Sequence, residues 1–96
     1  MSEPAFQLSD GAADTVCVSG ALTFASATAA FSAIHASLAR DGRRLLDLAG
    51  VKHSDSAGLA CVLAVLAQTQ GRVRVRNVPA GMQVLAKVCE VDQLLG

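Results

Sequence analysis

Short apolar runs and longer stretches of helical spacing alternate along the chain. The runs at residues 6–9, 15–20 and 44–48 are rich in apolar or β-branched side chains, and they predict three strands. Arginine and valine alternate strictly at residues 72–76, which predicts a fourth, half-exposed strand. The polar turn at residues 10–14 separates the first two runs and predicts that they form a hairpin.

The third run leads into the most informative part of the chain. It contains Leu45, Leu46 and Leu48, as in an inner strand that is covered on both faces of a sheet. Gly50 is predicted to end this strand. Three candidate N-caps for the next helix follow: Ser54, Asp55 and Ser56.

Three stretches of the chain have helical spacing. The apolar stripe of the first comprises Ala27, Ala30, Phe31, Ile34 and Leu38. Thr23 or Ser26 can cap this helix, and Arg40 followed by Gly42 marks its end. The second helix is predicted from about residue 56 to 70, and its core stripe comprises Leu59, Val62, Leu63 and Leu66. The third begins near Pro79, and its predicted core face comprises Val84, Leu85 and Val88.

The predicted element order is β-β-α-β-α-β-α. Alternation of strands and helices after a hairpin predicts a mixed sheet with helices packed on it. We therefore expect an α/β fold with a mixed four-stranded sheet, in a single domain over residues 1–96. Residues 91–95 are expected to close over one end of the core.

The composition excludes several classes of function. Hydrophobic residues make up 52% of the chain and charged residues 17%, and the formal net charge is zero. Such a chain has no bulk attraction for nucleic acid or for an acidic lipid surface. No apolar run approaches the roughly 18 to 20 residues that span a bilayer, and residues 1–4 lack a signal-peptide pattern. Three widely spaced cysteines predict small buried thiols in a reducing cytosol.

Acidic and basic residues are absent from both central helices. No Asp, Glu, Lys or Arg occurs at residues 15–39 or 56–71, although a surface helix normally carries charge on its wet face. Opposite its core stripe, the second helix is predicted to present Ala57, Ala60, Cys61, Ala64 and Gln68. These small, neutral residues favour a surface that another protein covers. The alternative is an alanine-rich helix that is stable through propensity alone.

Ser56, at the predicted start of the second helix, has three interpretations. As an N-cap it would stabilise the helix by roughly 1 kcal/mol. As a contact residue it would meet a docked protein. As a phosphorylation site it would gain about −1.5 to −2 charges, which helix N–H groups tolerate but a neutral interface does not.

The sequence argues against catalysis and against a metal or cofactor. His53, Asp55 and Ser56 are nearly adjacent, whereas the members of a catalytic triad come from separate elements. His35 and His53 are the two histidines, and they provide no metal-ligand set. The chain has no glycine-rich phosphate loop. We therefore expect a non-enzymatic protein that needs no cofactor.

Arg72, Arg74 and Arg76 lie on one face of the last predicted strand. Guanidinium groups in this arrangement could bind phosphate or an acidic partner. Charge on an edge strand also prevents edge-to-edge aggregation. We favour the second explanation, because no aromatic residues are interleaved with the arginines and the chain has no net basic charge.

Two segments around the second helix carry a family resemblance. Residues 47–51 read Asp-Leu-Ala-Gly-Val, and residues 55–60 read Asp-Ser-Ala-Gly-Leu-Ala. This pattern resembles the signature of STAS domains, the family of bacterial anti-sigma-factor antagonists, and it implies a STAS-like fold over nearly the whole chain. In antagonist-type relatives the hydroxyl that matches Ser56 is phosphorylated, which implies an anti-sigma kinase as one candidate partner. Ala57 stands where antagonists often have a second hydroxyl, which favours a contact role instead.

Further segments resemble the MlaB-like branch of that family. They are Gly-Ala-Leu-Thr-Phe at residues 20–24 and the C-terminal pieces at 85–89 and 92–95. Proteins of this branch are small cytoplasmic subunits of ABC transporters that maintain outer-membrane lipid asymmetry. The resemblance implies binding to the transporter's ATPase subunit, hence a location peripheral to the inner membrane without insertion into it. The implied contact residues are His53, Asp55, Ser56, Ala57, Ala60, Cys61 and Ala64, with Thr23 and Phe24 at the rim.

Overall fold

A mixed four-stranded sheet forms the frame of the molecule. The structure is a computed structural model that describes residues 5–12, 14–40 and 42–95. The strands are β1 (Phe6–Asp10), β2 (Thr15–Leu22), β3 (Leu45–Ser54) and β4 (Arg74–Arg76). They lie in the order β1-β2-β3-β4, with β1 antiparallel to β2 and the remaining neighbours parallel.

Three helices and a short 3₁₀ turn complete the fold. They are α1 (Ala27–Arg40), α2 (Ser56–Gln68), α3 (Ala80–Val88) and a 3₁₀ turn at Asp92–Leu95. α1 connects β2 to β3, α2 connects β3 to β4, and the two helices pack against each other. This order confirms the predicted β-β-α-β-α-β-α arrangement and the α/β class. Residue 13 of the predicted hairpin turn and the N-terminal residues 1–4 lie outside the described part of the chain.

The core lies between the sheet and the helices. The register pairs Val16 with Leu46 and Leu46 with Val75, so apolar side chains of three strands share one face. The predicted stripe of α1 is confirmed, with Ala30, Ile34 and Leu38 buried and Ala27 and Phe31 at its margin. The buried residues of α2 are Gly58, Leu59, Cys61, Val62 and Val65, while Leu63 and Leu66 pack at the margin.

β3 is longer than predicted, because Gly50 does not end it. The strand continues to Ser54 beside β2, which itself extends to Leu22. A register irregularity lies in β2 between Cys17 and Ser19, next to Gly50. A Cβ at position 50 would lie 2.8 Å from the Ser19 Cβ, so glycine allows the two strands to stay paired through this irregularity.

The helices cover one face of β3, whereas the leucine run predicted cover on both. Leu46 and Leu48 are buried, but Asp47 between them is half-buried and Ala49 is exposed. Asp47 Oδ1 accepts hydrogen bonds from the Ala49 backbone N–H at 2.8 Å and from Asn77 Nδ2 at 3.1 Å. These two bonds, the first more than the second, lower the pKa of Asp47. The other face of β3 therefore carries a carboxylate.

The core face of α3 differs from the prediction. Val84 is 61% exposed and Val88 is 76% exposed, and of the predicted set only Leu85 is partly buried. Met82 and Ala86 are fully buried instead. The helix carries two overlapping apolar stripes that share Leu85, so its spacing alone did not determine which stripe meets the sheet.

The three cysteines differ in burial. Cys61 is buried, Cys17 is half-buried and Cys89 is exposed, and all three are free thiols. Burial raises the pKa of Cys61. The prediction of buried thiols is therefore right for Cys61 and wrong for Cys89.

Candidate functional site

The N-terminus of α2 lies directly against the end of β2. The carbonyl oxygen of Leu22 accepts a hydrogen bond from the Asp55 backbone N–H at 3.3 Å. A Cβ on Gly58 would lie 2.0 Å from that same oxygen. Because any larger residue would displace backbone, Gly58 determines how closely α2 approaches the sheet.

Asp55 caps α2 and ties it to the loop between β2 and α1. Its Oδ1 accepts a hydrogen bond from the Gly58 backbone N–H, and its Oδ2 accepts one from the Phe24 backbone N–H, both at 3.0 Å. The bond from Phe24, followed by that from Gly58, lowers the pKa of Asp55. The carboxylate is therefore ionised at neutral pH, and backbone donors engage both of its oxygens.

A buried serine holds the same loop from the other side. The Oγ of Ser26 accepts a hydrogen bond from the Thr23 backbone N–H at 3.0 Å and donates one to the Ala21 carbonyl at 2.9 Å. With Asp55, it restrains the backbone on both sides of Phe24. The Phe24 side chain is nevertheless 86% exposed. A large apolar group is thus held in solvent by a loop that is itself well bonded.

Ser56 is not the N-cap. It is the first residue of α2, it follows the cap Asp55, and it is exposed. No residue in the described part of the chain forms a hydrogen bond with its hydroxyl group. Ser54, the third candidate cap, is the last residue of β3. The cap interpretation of Ser56 is therefore wrong, and its hydroxyl is open to a partner or to modification.

The outward row of α2 consists of small residues. Ala60 and Ala64 are exposed, and Ala57 is half-buried. Cys61 was predicted on this row, but it is 5% exposed and belongs to the core. It lies three residues after Gly58, on the side of the helix that touches the sheet. We define the α2 face as Phe24, Ser56, Ala57, Ala60 and Ala64.

The other predicted site residues flank the α2 face. His53 is exposed near the end of β3, where it pairs with Ala21 of β2. Thr23 is half-buried and directly precedes Phe24. Lys52, also exposed on β3, places a cation beside this region. The structure thus brings the loop that carries Thr23 and Phe24 next to the start of α2.

The described residues include neither a metal-ligand cluster nor a membrane-spanning helix. Within residues 5–12, 14–40 and 42–95, no cluster of three or more His, Cys, Asp or Glu side chains is arranged to hold a metal ion. In the same ranges no helix has both the length and the apolar character needed to cross a membrane. The α2 face itself presents apolar side chains and one hydroxyl group.

Two residues that build the site were not among the predicted contact residues. Gly58 interrupts the first turn of a good helix, and an isolated glycine there is a signal of close backbone approach. Ser26 was noted only as a helix cap. Its hydroxyl bonds to Ala21 at the end of β2, and local sequence does not reveal that partner.

The fold defines a class of protein. A mixed four-stranded sheet with three helices in the order β-β-α-β-α-β-α is the arrangement of a STAS domain. The chain belongs to the family described as "Mlab, STAS domain", whose model matches residues 6–96. Domains of this class generally bind partner proteins.

A solved structure has the same fold. It is the anti-sigma factor antagonist SpoIIAA in its unphosphorylated form, which is 21% identical to this chain. The similarity covers 86% of this chain and 82% of that chain, with a TM-score of 0.59. Identity at this level shows a shared fold and nothing more. No curated protein matches this chain.

Proposed function

We propose that this chain is a non-enzymatic cytoplasmic STAS subunit that binds the ATPase subunit of an Mla-type ABC phospholipid transporter and stabilises or regulates it. Through that partner it is peripheral to the inner membrane, in a transporter that maintains outer-membrane lipid asymmetry. Membership of the Mlab family supports the assignment. The observation that carries it is the α2 face. It combines an exposed phenylalanine, whose backbone is bonded to the N-cap of α2, with small uncharged residues along that helix.

Phe24 is the anchor of the proposed contact. Moving a phenylalanine side chain from water into an apolar pocket contributes about 1.5–3 kcal/mol. Because Asp55 and Ser26 already order the loop around it, binding loses little conformational entropy there. An ordered, exposed aromatic residue has the features of an interface hot spot.

The small residues of α2 allow the partner to approach closely. Ala60 and Ala64 carry no charge that must be desolvated, and they leave room for a backbone or helix of the ATPase. The Ser56 hydroxyl supplies one hydrogen bond within that contact. A subunit bound in this way stabilises the folded ATPase by mass action, by an amount that grows with its concentration relative to Kd.

Arginine substitutions on α2 test the proposal by co-purification with the ATPase subunit. Ser56→Arg and Ala60→Arg each place a long cation in the proposed contact, and we expect both to abolish co-purification. Circular dichroism should show that both variants stay folded, because both positions are exposed. Ala39→Arg, in the last turn of α1, is the matched control and should leave binding unchanged.

Phe24→Ala gives a graded version of the same test. We expect Kd for the ATPase to rise about tenfold to a hundredfold, since truncated hot-spot residues cost about 2 kcal/mol or more. Thermal stability should hardly change, because the ring is exposed. Full binding by Ser56→Arg and Ala60→Arg together would exclude the α2 face as the contact.

A second candidate function is that of an anti-sigma factor antagonist switched by phosphorylation at Ser56. The exposed, unbonded hydroxyl of Ser56 favours it. A phosphate there would add about −1.5 to −2 charges next to the Asp55 carboxylate. It would repel an acidic partner surface, and it would have to be desolvated to dock against an uncharged one. The candidate partner is then an anti-sigma kinase.

Intact-mass measurement of the chain isolated from cells distinguishes the two functions. The antagonist function predicts a phosphorylated population and a Ser56→Asp variant that releases a bound kinase. The transporter function predicts unmodified protein that co-purifies with an ATPase. A chain that never carries phosphate under any growth condition contradicts the second candidate.

A further inference from the structure

A cleft lined by arginines lies at the opposite end of the sheet from the α2 face. Its volume is about 540 Å³, and it runs between the segments before β3 and before β4. The lining residues are Gly42, Arg43, Arg44, Leu45, Gly71, Arg72 and Arg74. Four of the eight Lys and Arg residues of the chain are therefore gathered around one opening. We refer to it as the arginine cleft.

Backbone pairing fixes the two walls of the cleft. Leu45 of β3 is in register with Arg74 of β4, and the Arg74 N–H donates to the Arg44 carbonyl at 2.8 Å. Gly42 and Gly71 have φ values of +61° and +82°, and a Cβ at either position would have no neighbour within 4 Å. The two turns therefore leave open space beside guanidinium groups whose main chain is held in place.

The arginines of the cleft differ in how they are engaged. Arg43 donates to Asp10 and to the Thr15 carbonyl, and Arg72 donates through Nε to the Thr69 carbonyl at the end of α2. These two side chains have a local structural role. The guanidinium groups of Arg44 and Arg74 form no hydrogen bond or ion pair with any residue in the described ranges, and both residues are exposed.

Protection of an edge strand does not account for this arrangement. β4 has three residues, and a strand so short is already a poor template for aggregation. Arg44 precedes β3, which is an inner strand of the sheet, and Arg72 precedes β4. The charge surrounds an opening instead of following an edge.

We propose that the arginine cleft binds a multiply charged phosphate group, held by the guanidinium forks of Arg44 and Arg74 with Arg72 beside them. Planar guanidinium groups bind phosphate bidentately, and uncompensated ones do so best. None of the described lining residues is aromatic or acidic, so the cleft offers no stacking surface for a base. The phosphate can belong to a soluble ester or to an anionic lipid headgroup. This site is independent of the proposed contact with an ATPase.

Titration of the full chain tests the cleft, with pyrophosphate as the soluble probe and vesicles that contain phosphatidic acid, whose phosphate is a monoester, as the lipid probe. The variant is Arg44→Gln with Arg74→Gln, and the matched control is Lys52→Gln with Arg76→Gln, which also removes two cations. At constant ionic strength we expect saturable binding by the wild-type chain, about tenfold or more weaker binding by the variant, and a change of about twofold or less in the control.

The outcomes separate the two phosphate sources. Saturable pyrophosphate binding that the variant loses supports a soluble ligand, and vesicle binding alone that the variant loses supports a lipid headgroup. Binding of neither probe, or equal losses in variant and control, overturns the proposal. Amide shifts of the wild-type chain give a second measure, and shifts outside residues 42–45 and 71–74 also overturn it.

Discussion

The surfaces at the two ends of the parallel strands differ in their chemistry. At the carboxyl ends of β2 and β3, the Asp55 carboxylate and the Ser26 hydroxyl are engaged by the chain itself, and the α2 face around them is uncharged. At the amino ends of β3 and β4, Arg44 and Arg74 keep guanidinium groups that no described residue engages. A net charge of zero therefore describes neither end. The first is suited to an apolar protein surface and the second to an anion.

Gly58→Ala should have the largest effect on stability, at the end of the sheet where α2 begins. The new Cβ would lie 2.0 Å from the Leu22 carbonyl oxygen, so α2 must move away from the sheet. We expect a loss of about 3 kcal/mol in the free energy of unfolding, measured by urea denaturation. The loop around Phe24 should loosen as well, since its anchor Asp55 moves with α2.

Gly81→Ala is the matched control for that loss. Gly81 lies in α3, and a Cβ there would have no neighbour within 4 Å. Alanine should therefore stabilise the protein by about 0.5–1 kcal/mol. Equal effects of the two substitutions would contradict the close approach of α2 to β2.

Asp55→Ala should destabilise the same end by removing both of its backbone bonds. We expect Tm to fall by about 4–8 °C, as for the loss of a good N-cap in a small domain. Ser56→Ala should leave Tm unchanged, because the Ser56 hydroxyl has no partner among the described residues. Differential scanning calorimetry of the two variants decides which residue caps α2, and the reverse result would favour Ser56.

The same carboxylate should make stability fall in acid. The pKa of Asp55 is lowered from its ordinary value of 3.8 in the folded protein, so its stabilising contribution is present above that value and is lost as pH falls through the folded-state value. Asp47, whose pKa is also lowered, acts with the same sign. Asp55→Asn keeps a capping oxygen and removes the charge, so its Tm should depend less on pH from about pH 5 downwards. If the Tm of Asp55→Asn fell with pH as steeply as the Tm of the wild-type chain, the Asp55 carboxylate would not be engaged in solution.

Arg44→Gln should have the smallest effect on stability. Because its guanidinium has no partner in the described chain, we expect a change within about 0.5 kcal/mol. Arg43→Gln is the comparison at the same cleft, and it should lower stability measurably, since Arg43 donates to Asp10 and to the Thr15 carbonyl. A large loss on replacing Arg44 would show that the arginine cleft is a structural element of the fold.

Much of the fold was predictable because its signals are local. The apolar stripe from Ala30 to Leu38 and the alternation before Asn77 depend on spacing that only one element type satisfies. α3 was not predictable in the same way. Its two overlapping stripes are both apolar, and only the packed structure shows that Met82 meets the core while Val84 remains in solvent.

The candidate site was predictable in its neighbourhood and not in its details. Three adjacent residues could each cap α2. Ser54 does not, because β3 stays paired with β2 as far as that residue, and it is Asp55, not Ser56, that accepts the Gly58 N–H. Cys61 was assigned to the outer face and proved to be buried. Only the approach of α2 to β2 at Gly58 fixed the rotation of the helix.

By itself, the sequence determined the element order, the absence of acidic and basic residues from two helices, and the resemblance to STAS domains. Each of these features depends on residues that are close together in the chain. The tertiary structure alone decided which residue caps α2, which side of α3 is wet, and that Arg44 and Arg74 share a cleft. The first and the last of these outcomes involve residues about 30 positions apart in the chain, Phe24 with Asp55 and Leu45 with Arg74, which only strand register and helix packing bring together.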